Sequence, residues 1–566
     1  MKRKIFLLVM LLTLFLTSCS SDSDVRTYTV EEVPFVDLDP NYTVNTKQMN
    51  LYYFEDSTIP YMPVDEFVND LDGFLDAKAY SFRYINFIGE YIITANFNGE
   101  ELKAIVDYKA DKVYTQYTQV FQNVIASQTT DYSSYYTIDA DNIDYDMKTV
   151  VLDFGKYNMD IILKDKKCYF PFSALCTLFG AQNYANLYFN GDKIYMTYFV
   201  GAELEEEEIK EIKTSSLTNT LATEESRKAN YNDLLFTLDT FYGLKNYKNI
   251  PSFEDYIVAN NLKEALLSTN PEIFEQAYKD LFYGLLNECH TGLITSSYYT
   301  GGNRISSTEG ASEDSNFVKM KNLRVQLKDS YDEHYTEHTY FEIVGNTAYI
   351  TPLEFTTGTN DEIFNEDGSV KEDAYKYDTF RLFIYSMEQI KANPLVKNIV
   401  VDLSRNGGGN GAAMYKALGF LKQQVYASVK NEIMGLTVTY SISVDTNLDG
   451  KYNSSDAYSN YNWYVLTSGL TYSAANIFAS VCKDQGLATV IGQKSGGGMC
   501  GVVPVVLTDG TALQMSGLST MYVSIKDYKT ANQKVSYIEG GIEVDSAIDY
   551  EYFYDRSYIN SLINGV

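Results

Sequence analysis

The feature that most narrows the fold of this chain is the alternation of short apolar strands with helical apolar stripes between Thr347 and Ile491. Thr347 to Phe355 reads as a strand. Phe380, Phe383, Ile384 and Met387 then fall at i, i+3, i+4 and i+7, a helix face that stops at Asn393-Pro394. Ile399-Val400-Val401 is a buried strand by length and composition, and a glycine-rich turn follows it. A helix around Ala412 to Leu421, a strand from Trp463 to Leu466, a helix from Ser473 to Asp484 and a strand from Ala488 to Ile491 continue the pattern. That order implies an α/β core.

At 566 residues the chain has room for two to four units. Asn230 to Cys289 reads as helical, with Leu234, Leu235, Leu238 and Phe241 on one stripe and Phe274, Tyr278, Leu281 and Leu285 on another. Glu203 to Ser226 is acidic, then rich in Ser and Thr, and reads as a linker. Glu31 to Val200 reads as a β-rich α+β unit with a divergent repeat. Tyr61-Met62-Pro63-Val64 precedes an apolar pattern through Phe67, Leu71 and Phe74; Tyr169-Phe170-Pro171-Phe172 precedes Leu175, Leu178 and Phe179. This layout is similar to the small domains at the N-terminus of copper amine oxidases. The region has no histidine, so no copper site is implied.

Lys2-Arg3-Lys4 forms a basic start, and Ile5 to Leu16 an apolar run too short to span a bilayer. Leu16-Thr17-Ser18-Cys19 resembles the lipoprotein signal-peptidase box, which makes Cys19 the expected lipidation site and the mature chain extracytoplasmic and membrane-anchored. The formal net charge of −30 opposes binding to nucleic acid. Cys168, Cys176, Cys289, Cys482 and Cys500 are scattered without C-x-x-C spacing and read as small apolar core residues.

Three ordered segments could carry chemistry. The first is Leu285-Leu286-Asn287-Glu288-Cys289-His290-Thr291, at the end of the helical run. The second is Val401-Asp402-Leu403-Ser404-Arg405-Asn406-Gly407-Gly408-Gly409, a strand opening into glycines. The third runs from Leu466 through Ser468-Gly469-Leu470-Thr471-Tyr472-Ser473-Ala474-Ala475-Asn476, a strand, a turn and a serine opening a helix. A hydroxyl at a helix N-terminus sits where free N–H groups favour developing negative charge. The glycines could bring further donors to the same point. His290 stands outside the Tyr331–Tyr340 segment, which reads as a strand, and together with Ser473 meets the need for a nucleophile and a base.

The same segments resemble the tail-specific (C-terminal-processing) serine peptidases, in their tricorn-core branch. The resemblance implies a crotonase-like spiral of ββα units, with His290 as general base, Ser473 as nucleophile, and the N–H groups of Gly408 (or Gly407) and Ala474 as the oxyanion hole. The expected organisation is then a signal peptide over 1–18, a tether over 19–30, the β-rich domain over 31–200, a linker over 201–226, a helical subdomain with a β segment over 227–340, and the peptidase core over 341–566. Relatives with a Ser–Lys dyad carry a lysine where this chain has Gly498, and Lys494 comes too early to replace it. The histidine mechanism is therefore required, and Glu539, just before Gly541-Ile542-Glu543-Val544-Asp545, is the candidate orienting carboxylate. Asn287 and Cys289 replace the usual Asp and Gly before the histidine, and Asn476 the usual Glu. The substrates implied are exposed, unfolded chains or C-terminal tails, and no cofactor is implied for catalysis.

A separate signal is Asp445-Thr446-Asn447-Leu448-Asp449-Gly450-Lys451, ending at Asp456, which fits a calcium loop. Asp445, Asn447, Asp449 and Asp456 would ligate Ca²⁺ through side chains and Lys451 through its carbonyl, in a structural role. His334-Tyr335-Thr336-Glu337-His338 spells an inverted zinc-protease motif, but that chemistry needs a helix, and the residues alternate like a strand. The rival readings are a non-catalytic peptide-binding or scaffold lipoprotein on the same fold, a metallopeptidase at His334 and His338, and Cys289 as nucleophile, which would sit beside its own base.

Overall fold

The computed structural model describes residues 26–55, 57–125, 135–145, 148–301, 311–524, 535–536 and 538–565. The expected signal peptide and Cys19 lie outside the described residues. Among the described residues the chain is a mixed α/β protein built on four sheets. Among the described residues no helix is long and apolar enough to cross a membrane.

The sheet that positions the site has six strands: Phe341–Val344, Thr347–Ile350, Asn398–Asp402, Asn462–Thr467, Thr489–Gly492 and Ser546–Ala547, side by side in chain order. The first pair is antiparallel and each later neighbour parallel. Asn398–Asp402 is buried at every position, as a parallel strand covered on both faces must be. Helices Thr379–Ala392, Gly411–Gly419 and Ala474–Asp484 lie between successive parallel strands. The first is capped by the Asp378 side chain, which accepts the Arg381 N–H, and it ends at Asn393, before the proline.

A second sheet carries Gly292–Thr295, Ala512–Ser524, Val425–Asn431, Leu436–Val444 and Tyr136–Tyr145 in that spatial order, with Cys500–Val506 also paired to Ala512–Ser524. Its last strand comes from within the expected 31–200 domain, so that boundary is crossed. Tyr136–Tyr145 pairs antiparallel along nine residues of Leu436–Val444. Strand pairing across some 300 positions leaves no local trace in sequence.

The remaining two sheets belong to the N-terminal region. There the two copies of the aromatic-proline motif meet about a local two-fold: Met62 lies opposite Phe170, Tyr61 opposite Pro171 and Pro63 opposite Tyr169. Each strand leads into a helix, Val64–Asp70 and Phe172–Leu175, and Phe67 meets Phe172 edge to face.

Three local expectations are corrected. The strand expected over Thr347–Phe355 ends at Ile350, and beyond Pro352 only Phe355 makes a bridge, to Gly409. The expected linker holds helix Glu206–Lys213, closed by a capping box between Glu205 and Glu208 and burying Ile209, Ile212 and Lys213. Its few apolar positions were hidden among glutamates. The expected strand Tyr331–Tyr340 begins as the end of helix Asn316–Asp332 and continues as turns. Val318, Leu327 and Tyr331 face inward from that helix, and the aromatic alternation beyond it is not a strand's.

Candidate active site

Ser473 closes a tight turn between strand Asn462–Thr467 and helix Ala474–Asp484, with φ +54° and ψ −127°. An L-residue held there is strained by on the order of 1–3 kcal/mol, and such strain collects at functional positions. The turn is fixed by Ser473 N–H donating to Gly497 O at 2.9 Å, and Ala475 N–H donating to Tyr472 O at 3.0 Å. A serine before a helix is ordinarily its cap, but the Ser473 side chain makes no capping bond. The strained backbone presents a hydroxyl that the helix does not use.

The glycine turn after Asn398–Asp402 lies against this serine. A Cβ on Gly408 would stand 2.7 Å from Ser473 Cβ and 3.1 Å from Ala474 N, and Gly408 has φ +119°, so only glycine fits. The Gly408 N–H, expected in the oxyanion hole, donates instead to Asn406 Oδ1 at 2.8 Å. Asn406 is fully buried and also donates to Pro352 O at 3.0 Å. Gly407 is exposed at the edge of the turn. Ala474 opens the helix beside Gly408.

His290 lies in the turn between the helical run ending at Leu286 and strand Gly292–Thr295. Asn287 closes the helix in the left-handed conformation, a role asparagine tolerates. Glu288 is buried and accepts the His290 backbone N–H at 2.7 Å and the Thr291 hydroxyl; Thr291 Oγ1 in turn accepts Ser516 N–H at 3.1 Å. The His290 ring packs edge to face on Tyr472, with centroids 4.7 Å apart. Both ring nitrogens are buried, and among the described residues neither has a hydrogen-bond partner. Burial lowers the ring's pKa to about 4, so it is neutral at physiological pH. The structure therefore brings His290 beside Tyr472, the residue before Ser473, without joining ring to hydroxyl.

A Cβ at Gly498 would stand 2.7 Å from the Tyr472 ring and 3.1 Å from His290 Cε1, and φ there is +81°. The place of the lysine in Ser–Lys relatives is filled by these two rings. Lys494 points elsewhere, to Glu543 at 3.2 Å. Glu539 accepts Met499 N–H on Oε2 at 2.9 Å and Gly498 N–H on its carbonyl at 3.1 Å. It holds the glycine loop rather than the histidine ring. Burial, with Glu288 nearby, raises its pKa to about 7.

Sequence reading missed Glu288, Tyr472 and the use of Asn476. Asn476 is fully buried; it accepts the Ser495 hydroxyl at 2.7 Å and donates to Ile538 O at 3.2 Å, tying the serine helix to the loops beside it. Glu288 stood inside the histidine motif, and a carboxylate two residues before the histidine was the available signal.

His334 is exposed, whereas His338 contacts Arg405 through Nδ1 at 3.3 Å and Thr351 O through Nε2 at 3.0 Å. Both ring nitrogens of His338 are thus engaged, against the metallopeptidase reading. Cys289 is half-buried and its thiol is pushed up to about 12, chiefly by burial, the reverse of an activated nucleophile. In the acidic loop, Asp445 accepts the N–H groups of Asp449 and Gly450 at 3.1 and 2.8 Å, and Asp456 those of Thr446 and Asn453 at 3.1 and 2.8 Å. Asn447 Oδ1 accepts Asp449 N–H and Asp449 Oδ1 accepts Lys451 N–H. Oxygen donors of this kind suit a hard cation. Among the described residues, however, no group of three or more His, Cys, Asp or Glu is arranged to hold a metal.

Residues 368–547, which include Ser473 and Glu539 but not His290, match the model of peptidase family S41. No curated protein matches the chain. Similar solved structures include a photosystem II D1 C-terminal processing protease, at 19% identity over 36% of this chain and 43% of that one, with a TM-score of 0.25. Mature CPAF is 12% identical over 60% of this chain and 98% of its own, with a TM-score of 0.37. A lipoprotein from Streptococcus agalactiae is 14% identical over 60% and 96%, with a TM-score of 0.33. The chain thus spans less than half the length of the first of these proteins. Over residues 368–547 the chain is thus similar to peptidase family S41.

Proposed function

We propose that this chain is a membrane-anchored, extracytoplasmic serine endopeptidase that cuts exposed peptide chains or C-terminal tails. Ser473 Oγ attacks the peptide carbonyl carbon while His290 takes the hydroxyl proton. The carbonyl oxygen becomes an oxyanion at the start of helix Ala474–Asp484, where the Ala474 N–H is the donor in place. Collapse breaks the C–N bond, and His290 returns the proton to the leaving amine. Water then releases the acyl group by the same route. His290 is neutral and so has an acceptor nitrogen, but burial makes it a weak base, and its basicity must rise as the ring leaves its buried position for Ser473. The strained, uncapped Ser473 carries the reading.

In this mechanism the His290 ring must turn from Tyr472 toward Ser473, and Asn406 must release the Gly408 N–H if that group is to join the oxyanion hole. Catalytic hydrogen bonds often form only around substrate. Those same two features favour a second reading, a peptide-binding lipoprotein that does not cut. Cys19 supplies the anchor in both readings, and Ca²⁺ at Asp445–Asp456 would serve as a structural clamp.

The test is digestion of an unfolded protein such as reduced casein, with fragments read by mass spectrometry. Wild type is expected to cut, and folded Ser473→Ala and His290→Ala variants to lose roughly a thousandfold or more in rate. Binding of the casein by wild type without cleavage selects the second reading.

A further inference from the structure

One residue from both proposed catalytic groups lies a cavity of about 360 Å³. Glu288, Cys289, Tyr472 and Glu539 line its inner part; Met320 and Leu323 of helix Asn316–Asp332 form an apolar wall. Leu323 packs closely over Gly469, where a Cβ would come within 2.7 Å of it. The mouth is marked by the exposed Asn316, Lys319 and Gly540.

Two carboxylates stand at the inner end. Those of Glu288 are committed to the His290 N–H and the Thr291 hydroxyl. Glu539 has one oxygen on the Met499 N–H, and among the described residues its Oε1 has no donor. Placing these two acids near one another in a poorly hydrated site holds Glu539 toward its protonated form, a cost that a cation entering the cavity would relieve. Lys248 also acts on Glu539 and Lys319 sits at the mouth, but among the described residues neither forms an ion pair with it.

We propose that this cavity receives the substrate side chain next to the cleaved bond and selects a long basic residue, lysine or arginine. Its cation meets Glu539, and its aliphatic stem lies along Leu323 and Met320. The volume accommodates such a side chain, and apolar walls ending in an acid match a stem ending in a cation. The inference rests on Ser473 being the nucleophile, because that fixes which side chain enters.

The experiment is a set of matched peptides that differ only at the residue before the cleaved bond, with lysine, arginine, norleucine, alanine or glutamate there. Wild type is expected to favour lysine over the isosteric norleucine by roughly tenfold or more in kcat/KM. Leu323→Lys, which leaves the proposed catalytic groups in place, should reverse that ratio, and Glu539→Gln should flatten it whatever happens to the absolute rate. Preference for alanine, norleucine or glutamate in wild type would overturn the proposal. Should no peptide be cut, the catalytic reading fails. The cavity is then read by fluorescence polarisation of the same peptides on folded Ser473→Ala protein, where equal affinity for lysine and norleucine overturns it.

Discussion

At the scale of single residues, the chemistry of this site depends on what burial does to two groups. His290 has its pKa lowered to about 4 because the ring is buried. Between about pH 6.5 and 4 the unfolded chain takes up a proton that the folded one refuses, so this residue reduces stability as pH falls through that window. Glu539 works in the opposite sense. Its folded pKa of about 7 lies above the ordinary 4.5, so its contribution is lost as pH rises from about 4.5 to 7. The chain has only three histidines, which makes the first effect measurable by NMR. The His290 resonance, assigned with His290→Ala, is expected to show a neutral ring down to about pH 4, with His338 behaving alike. A His290 midpoint near 6.5 would mean that the ring is solvated. Sequence named His290 and Ser473 from motif order, but could not say that the His290 ring packs on Tyr472. Nor could it say that Asn406 holds the Gly408 N–H. The first follows from packing between segments more than a hundred residues apart, the second from the conformation of the glycine turn.

At the scale of elements, the helices and strands of the core were legible because each one is locally consistent. Thr379–Ala392 has its stripe, its Asp378 cap and its Asn393-Pro394 stop in one stretch, and the observed helix keeps all three. Elements read wrongly were those whose identity depends on distant partners. Helix Glu206–Lys213 is an example: Lys213 is buried, donates to Ser296 O at 2.8 Å and to Gly510 O, and stands within 5 Å of the ring centroids of Tyr188 and Tyr298. No linker composition announces such an anchor. The acidic loop makes its own prediction. Asp445 and Asp456 close it on backbone N–H groups, and bound Ca²⁺ should tighten it further. Millimolar Ca²⁺ is expected to raise the melting temperature of wild type and not that of Asp449→Ala. No shift in wild type would leave the loop an ordinary turn.

At the scale of the whole molecule, the N-terminal region is built into the α/β core region rather than appended to it. Tyr136–Tyr145 completes the second sheet, and Phe154 stacks on Phe236 of helix Glu224–Phe241 with centroids 4.6 Å apart. Asp239 of the same helix binds Lys156 and Tyr157. Removing residues up to 200 would leave Leu436–Val444 as an open edge and uncover that aromatic contact. The fragment from residue 201 onward is therefore expected to aggregate, or to melt well below the protein from residue 26 onward. A monomeric fragment with unchanged melting temperature would show the two parts to be independent.

The claim on which the rest depends is that Ser473 is an activated nucleophile served by His290. Treating the protein from residue 26 onward with a fluorophosphonate probe tests it most directly, since the reagent reports on the serine without needing a known substrate. The account predicts a single labelled serine at Ser473, with labelling lost in Ser473→Ala and reduced at least about a hundredfold in His290→Ala. Well-folded protein that takes up no probe, or labels equally without His290, would contradict it.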